Sequence, residues 1–187
     1  MAADLPTHAP RDPPHHPPRV ILLMGVAGSG KSTVGEALAA DLGWPFRDAD
    51  SFHPAANIAR MRAGVPLTDD DRWPWLDAIA RWLDERRAAA APAIVSCSAL
   101  KRRYRDRLLA GRPDVGLVHL AGSFELIEAR MRARQGHFMP LGLLRSQFDA
   151  LEPPAADERP LVVSIEGTPR AIATEIRGRV SGADPWL

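Results

Sequence analysis

Met24–Thr33 reads MGVAGSGKST. Within it, Gly25–Ser32 fits G-x-x-x-x-G-K-[ST] without a gap. Val20–Met24 just before it (VILLM) is a continuous apolar run of strand length. Just after it, Val34, Leu38 and Leu42 fall at helical spacing across Lys31–Leu42. Strand, Gly-rich turn and helix in that order make a phosphate loop. The glycines let the backbone curl until its N–H groups point inward, and the helix N-terminus adds positive potential. Gly25, Val26, Ala27, Gly28, Ser29, Gly30, Lys31, Ser32 and Thr33 are the candidate contacts to a nucleoside triphosphate. The Lys31 ammonium reaches the β- and γ-phosphates, and the Ser32 hydroxyl is a candidate ligand for Mg²⁺.

Working outward, strands and helices alternate. Pro45–Asp50 reads as the second strand and Asp69–Ala90 as a long helix, capped by Thr68 and led by acids that suit its positive end. Ala93–Ser96 is the third strand, with a basic helix near Lys101–Ala110. Gly116–Leu120 is the fourth strand, and Ser123 caps a helix running to Arg134. Leu144–Leu151 reads as helix, Leu161–Ile165 as the fifth strand and Ala171–Val180 as the last helix. This order predicts an α/β domain, three layers deep, around a mostly parallel five-stranded sheet. Ligands of such sheets bind outside the carboxyl ends of the strands.

The 187 residues suffice for one domain, placed at 19–180. Residues 1–18 are rich in Pro and His, lack large apolar side chains and read as a disordered leader; 181–187 is a short tail. No run approaches the ~20 apolar residues of a membrane span. The net charge of +1 gives no general attraction to nucleic acid or anionic membrane. Cys97 is the single cysteine, so no intramolecular disulfide forms, and a reducing compartment fits.

The kind of phosphate-loop protein follows from what surrounds the loop. None of the later strands ends in the Asp of a general ATPase, and Asn57, the only Asn, is not followed by the Lys of a guanine reader. A small kinase carrying its own acceptor site is favoured. Its acids are Asp48 and Asp50, two apart on the second strand and therefore expected on one side of it. Asp48 is assigned to Mg²⁺ or its water. Asp50 is assigned to orienting an acceptor hydroxyl and taking its proton.

From here the chain resembles a family. GVAGSGKST, DADSFHPAANIARMRAGVPLTDDDRWPWL, SCSALKRRYRDRL, RMRARQGHFMP and QFDALEPPAADE together resemble the small, phosphate-loop type of gluconokinase, related to shikimate and nucleoside monophosphate kinases. The likeness runs from about Val20 to Ile176. One departure is Ala49, where the family usually has Gly between the two acids.

The resemblance implies transfer of a phosphoryl group from ATP to D-gluconate, with Mg²⁺, in a cytoplasmic homodimer. Such a site needs cations for the sugar-acid carboxylate. Lys101, Tyr104 and Arg105 are expected there; Lys101 and Arg105, at i and i+4, share a helix face, with Arg102 and Arg103 pointing elsewhere. Arg60 is the anion contact on a short helix over the acceptor, and His53 either bonds a sugar hydroxyl or braces its loop. Trp73 and Trp75 read as core. A lid at about 135–143 is implied, hinged at Gly136, with Arg134 clamping the phosphates and Arg130 either doing the same or stacking on adenine. The alternatives are another small-acceptor kinase, for shikimate or a nucleotide, and a nucleotide-binding regulator without turnover.

Overall fold

The computed structural model describes residues 18–133 and 141–181. Almost all of the expected leader, most of the expected lid with Arg134 and Gly136, and the tail beyond Ser181 lie outside the described residues. In chain order the elements are β1 (Val20–Met24), α1 (Lys31–Leu42), β2 (Phe46–Asp48), α2 (Ala55–Arg62), α3 (Asp69–Ala88), β3 (Ala93–Ser96), α4 (Arg102–Leu109), β4 (Val115–Ala121), α5 (Phe124–Ala133), α6 (Leu141–Ala150), β5 (Leu161–Ser164) and α7 (Pro169–Val180).

The five strands form one sheet in the order β2-β3-β1-β4-β5, every adjacent pair parallel. A parallel sheet is covered on both faces, so its central strand is apolar on both sides. In β1, Ile21 and Leu23 join the layer built by Val34 and Leu38 of α1 and Ile172, Ile176 and Val180 of α7. Val20, Leu22 and Met24 join the opposite layer, with Leu76, Ile79 and Leu83 of α3 and Leu108 of α4. This is why VILLM has no alternation.

β1 is flanked by β3 on one side and β4 on the other, so β2 and β3 lie to one side of it and β4 and β5 to the other. The strand order therefore switches at β1, and a crevice opens beyond its carboxyl end, where the phosphate loop sits. α3 begins where the sequence predicts. Thr68 Oγ1 accepts the Asp71 N–H at 3.3 Å, and Asp71 accepts the Thr68 N–H at 2.8 Å, a complete capping box. Among the described residues no helix is long and apolar enough to cross a membrane.

Candidate active site

The phosphate loop is shaped by steric demands on its glycines. Gly25 has φ +149°, and a Cβ there would stand 2.8 Å from the Leu120 carbonyl oxygen. At Gly28 (φ +79°), a Cβ would meet Ile127 Cγ2 at 2.9 Å. Lys31 Nζ donates to the Gly25 and Val26 carbonyls, each at 2.9 Å. Burial lowers its pKa, opposed chiefly by Cys97, Asp48 and Asp50. The cation is thus folded over its own loop.

Beside the loop, Gly28, Gly30 and Thr33 line a cavity of about 450 Å³ with Arg130, Glu166 and Gly167. Arg130 Nη2 donates to the carbonyls of Ile165 and, at 3.2 Å, of Gly167. The residue expected beside a nucleotide therefore does line the space next to the phosphate loop.

The acids lie at the end of β2, but differently from the expected pair on one strand face. The strand stops at Asp48, whose Oδ1 accepts the Asp50 N–H at 3.0 Å and so caps a short 3-10 turn, Ala49–Phe52. Asp48 thereby competes with strand continuation, the habit of an Asp at a chain turn. Asp48 Oδ2 accepts from the Ser32 hydroxyl at 2.8 Å, joining β2 to the first turn of α1. Asp50 is lifted into the crevice with 86% of its side chain exposed. Desolvation where the carboxylate abuts the protein raises its pKa, and the like charge of Asp48 adds to that; His53 and Lys31 oppose. Ala49 is not among the described non-glycine residues with positive φ, which are Ala90, Ala99 and Arg159. Its carbonyl accepts from Trp75 Nε1 at 2.7 Å, so the methyl group in place of the family's Gly fits without backbone strain.

Past the acids runs a continuous polar wall. His53 stacks on Trp75 with ring centroids 4.4 Å apart, and its Nε2 lies 4.0 Å from Asp50 Oδ1. Burial lowers the His53 pKa; Asp50 opposes this and Arg72 reinforces it. Asn57 Nδ2 lies 3.4 Å from His53 Nδ1 and donates to the Asp71 carbonyl at 2.7 Å. Arg60 pairs with the Asp71 carboxylate at 3.5 Å on the partly open side of α2.

The wall ends in a cation cluster around Asp69. Lys101 Nζ lies 3.2 Å from Asp69 Oδ1 and Arg72 Nη1 lies 3.8 Å from it; Arg103 and the Tyr104 hydroxyl also donate to this carboxylate. Three cations face one carboxylate, leaving positive charge in surplus. The Tyr104 hydrogen bond, with help from Lys101 and Arg103, holds the Asp69 pKa below the usual carboxylate value.

Three expectations for this cluster need correction. α4 begins at Arg102, with Lys101 its extended N-cap (φ −92°, ψ 144°), so Lys101 and Arg105 are not an i, i+4 pair on one helix face. Arg105 turns inward, 1% exposed, and binds Glu158 through Nε and Nη2 while Nη1 donates to the Ala99 and Leu100 carbonyls. It does not present a cation to the crevice. Arg103, expected to point elsewhere, is in the cluster instead.

The segment after α6 explains why. Glu158 and the left-handed turn at Ala99 (φ 43°) hold Arg105 from both sides. The Glu152 carboxylate accepts the Arg102 N–H at 2.5 Å, capping α4 from 50 residues away, and Asp157 accepts from Arg102 Nη2 at 2.7 Å. Asp69, Arg103 and Glu158 are the site or supporting residues that sequence reasoning missed. Asp69 reads there only as a helix-start acid.

A phosphate loop at the switch point of a five-stranded parallel sheet, with acids at the end of β2 and a polar wall beyond, defines a small phosphate-loop kinase. The comparisons agree. A family model described as "AAA domain" matches residues 20–154. The chain is 44% identical to gluconokinase of Gluconobacter oxydans over 159 residues, 85% of this chain and 89% of that one. A crystal structure of a gluconokinase from Sinorhizobium meliloti superposes with a TM-score of 0.76 at 48% identity, covering 86% of this chain and 90% of that one. Shikimate kinase from Aquifex aeolicus shares the fold, with a TM-score of 0.55 at 20% identity over 87% and 96% of the two chains. The chain belongs to the gluconokinase family.

Proposed function

We propose that this chain transfers the terminal phosphoryl group of ATP to the end hydroxyl of D-gluconate, giving ADP and 6-phospho-D-gluconate. The observation that carries the reading is the layout of one wall. Asp50 follows Asp48, which is bonded to Ser32 of the phosphate loop; His53 lies 4.0 Å from Asp50 and within the electrostatic reach of Arg72, which lies 3.8 Å from the Asp69 carboxylate at the other end. A linear sugar acid has a hydroxyl at one end and a carboxylate at the other, and the two ends of this wall match them.

In this mechanism the amides of Gly28–Lys31 and the Lys31 ammonium hold the phosphates. Asp48 and Ser32 suit Mg²⁺, a hard cation that keeps waters and takes one or two protein oxygens plus substrate phosphates. Bound there, Mg²⁺ offsets phosphate charge. Asp50 orients the sugar hydroxyl; as its oxygen bonds to phosphorus and the bond to ADP breaks, the hydroxyl proton passes to the Asp50 carboxylate. The transition state is loose, so positioning and charge outweigh the base. Lys101, with Arg103 and Tyr104, holds the carboxylate; His53 and Arg60 line the path. Arg134 is assigned to the phosphates, and Arg130 to the nucleotide. The cytoplasmic location and the homodimer rest on the resemblance alone, and light scattering of the purified protein tests the latter.

The deciding experiment is ADP release with Mg·ATP across D-gluconate, other aldonic acids, shikimate and nucleoside monophosphates. Release driven by D-gluconate upholds the reading. Release driven by shikimate or a nucleotide instead replaces the acceptor, and ATP binding without any acceptor-dependent release favours a regulator.

A further inference from the structure

Of the segment QFDALEPPAADE, Glu152, Asp157 and Glu158 are occupied in holding α4. Gln147 is not. It projects from the second turn of α6, and its carboxamide Oε1 accepts the Ala27 N–H at 2.6 Å, across 120 residues of sequence. Ala27 belongs to the phosphate loop. The next residue, Gly28, is gripped from the same side by packing, since only the missing Cβ lets Ile127 and Met131 of α5 approach it. α6 is itself firmly seated: Leu144 is fully buried, Phe148 meets Phe124 edge-on at 5.4 Å, and the Arg145 guanidinium lies 4.9 Å above the Phe124 ring. Two packed helices therefore hold two consecutive loop residues, one by a hydrogen bond and one by contact.

The Ala27 partner is a backbone N–H, which can only donate. The Gln147 atom facing it must be the carbonyl oxygen, so the orientation of the amide is set by its neighbour. The NH₂ group is then turned away from Ala27. The amides of a phosphate loop enclose the β- and γ-phosphates. A neutral donor pair seated on that loop can meet phosphate oxygens without bringing a competing charge.

We propose that Gln147 reads the terminal phosphate of the bound nucleotide: its oxygen rests on Ala27 while its NH₂ group donates to the γ-phosphoryl group, so that the α5–α6 pair responds to ATP and not to ADP. This rests on the reading of Gly25–Ser32 as an ATP site. A hydrogen bond to a charged oxygen sets the expected size of the effect, on the order of ten-fold in affinity.

The test is calorimetric titration of the full chain, with Mg²⁺, by ADP and by a non-hydrolysable ATP analogue. Gln147→Glu keeps an acceptor for Ala27 but replaces the donors with an anion. Gln147→Met removes both. Gln147→Glu is expected to weaken the analogue by about ten-fold or more while leaving ADP within about two-fold. Gln147→Met is expected to weaken the analogue by a similar factor, and melting curves check that each variant is folded. Equal losses for the two nucleotides in Gln147→Glu would show that the residue only shapes the loop, and no loss for the analogue would show that it does not reach the phosphate; either overturns the proposal. If the unmodified protein binds neither nucleotide, the ATP reading itself falls, and the proposal with it.

Discussion

Arg105 and Glu158 form a two-pronged ion pair inside the protein, Nε to Oε2 at 2.5 Å and Nη2 to Oε1 at 2.9 Å, with only 1% and 4% of the side chains exposed. The remaining donors are not idle. Nη1 ties the Ala99 and Leu100 carbonyls at 3.1 and 3.0 Å, and Glu158 also accepts the Ala155 N–H at 2.9 Å. The pair therefore fastens the chain after α6 to the loop that delivers Lys101. Removing one partner of a buried pair leaves the other charge unpaired, at a cost of about 3–5 kcal/mol. Arg105→Met is expected to lower the urea midpoint accordingly while the KM for D-gluconate in the folded fraction changes little. Glu158→Gln, which keeps an acceptor oxygen, is expected to fall between the two proteins. A large rise in KM with unchanged stability would return Arg105 to the substrate.

Lys101 gives the opposite signature. It is partly exposed, and its partner Asp69 keeps two further cations in reach, so its loss leaves no buried charge alone. Lys101→Met is expected to raise the KM for D-gluconate by about ten-fold or more, the worth of one charge-assisted hydrogen bond. The KM for ATP and the melting temperature are expected to stay near those of the unmodified protein. Steady-state kinetics with each substrate varied in turn, alongside a thermal melt, separates the two outcomes.

These two residues also mark how far the sequence could be read. The fold was legible because each element has a local cause. VILLM is apolar on both faces, Thr68 and Asp71 cap α3 reciprocally, and the glycines of the loop need conformations that other residues resist. The phosphate loop was legible for the same reason, since its residues are contiguous. The acceptor half was not. Its geometry depends on contacts 34 to 53 residues apart, such as Asp69 with Arg103 and Arg105 with Glu158, and spacing along a helix cannot report them. The helix-face argument failed at one point: it counted Lys101 as helical, whereas the Glu152 carboxylate starts α4 one residue later. The pairing of Asp48 with Asp50 failed in a similar way, because the first acid ends its strand by capping the turn that carries the second.

Lys31 is expected to be required for turnover and dispensable for folding. Among the described residues its ammonium donates to the Gly25 and Val26 carbonyls, and burial already lowers its pKa, so the fold gains little from the charge. Lys31→Ala is expected to reduce kcat by a factor of about 10² to 10³ or more, the loss typical of a preorganised donor aimed at transition-state charge. Its melting temperature is expected to stay within a few degrees. Near-normal turnover would remove the lysine from the mechanism.

Asp50 ties the mechanism to pH. Local desolvation, reinforced by the negative charge of Asp48, raises its pKa above that of an ordinary aspartate. A general base works only when ionised, so kcat/KM is expected to fall as pH drops through this pKa, beginning at a higher pH than an ordinary aspartate would require. Asp50→Asn is expected to lower kcat while leaving ATP binding largely intact, and to flatten that acid limb. The stability effect has the other sign. A carboxyl whose pKa is raised in the folded state stabilises the fold when protonated and destabilises it when ionised, so at neutral pH the neutral Asn is expected to melt no lower than Asp. The combination of lower turnover, a flattened acid limb and undiminished thermal stability is what a base held in the crevice beside a like charge should give. A variant that loses stability along with activity would make Asp50 a structural part of the β2 turn instead.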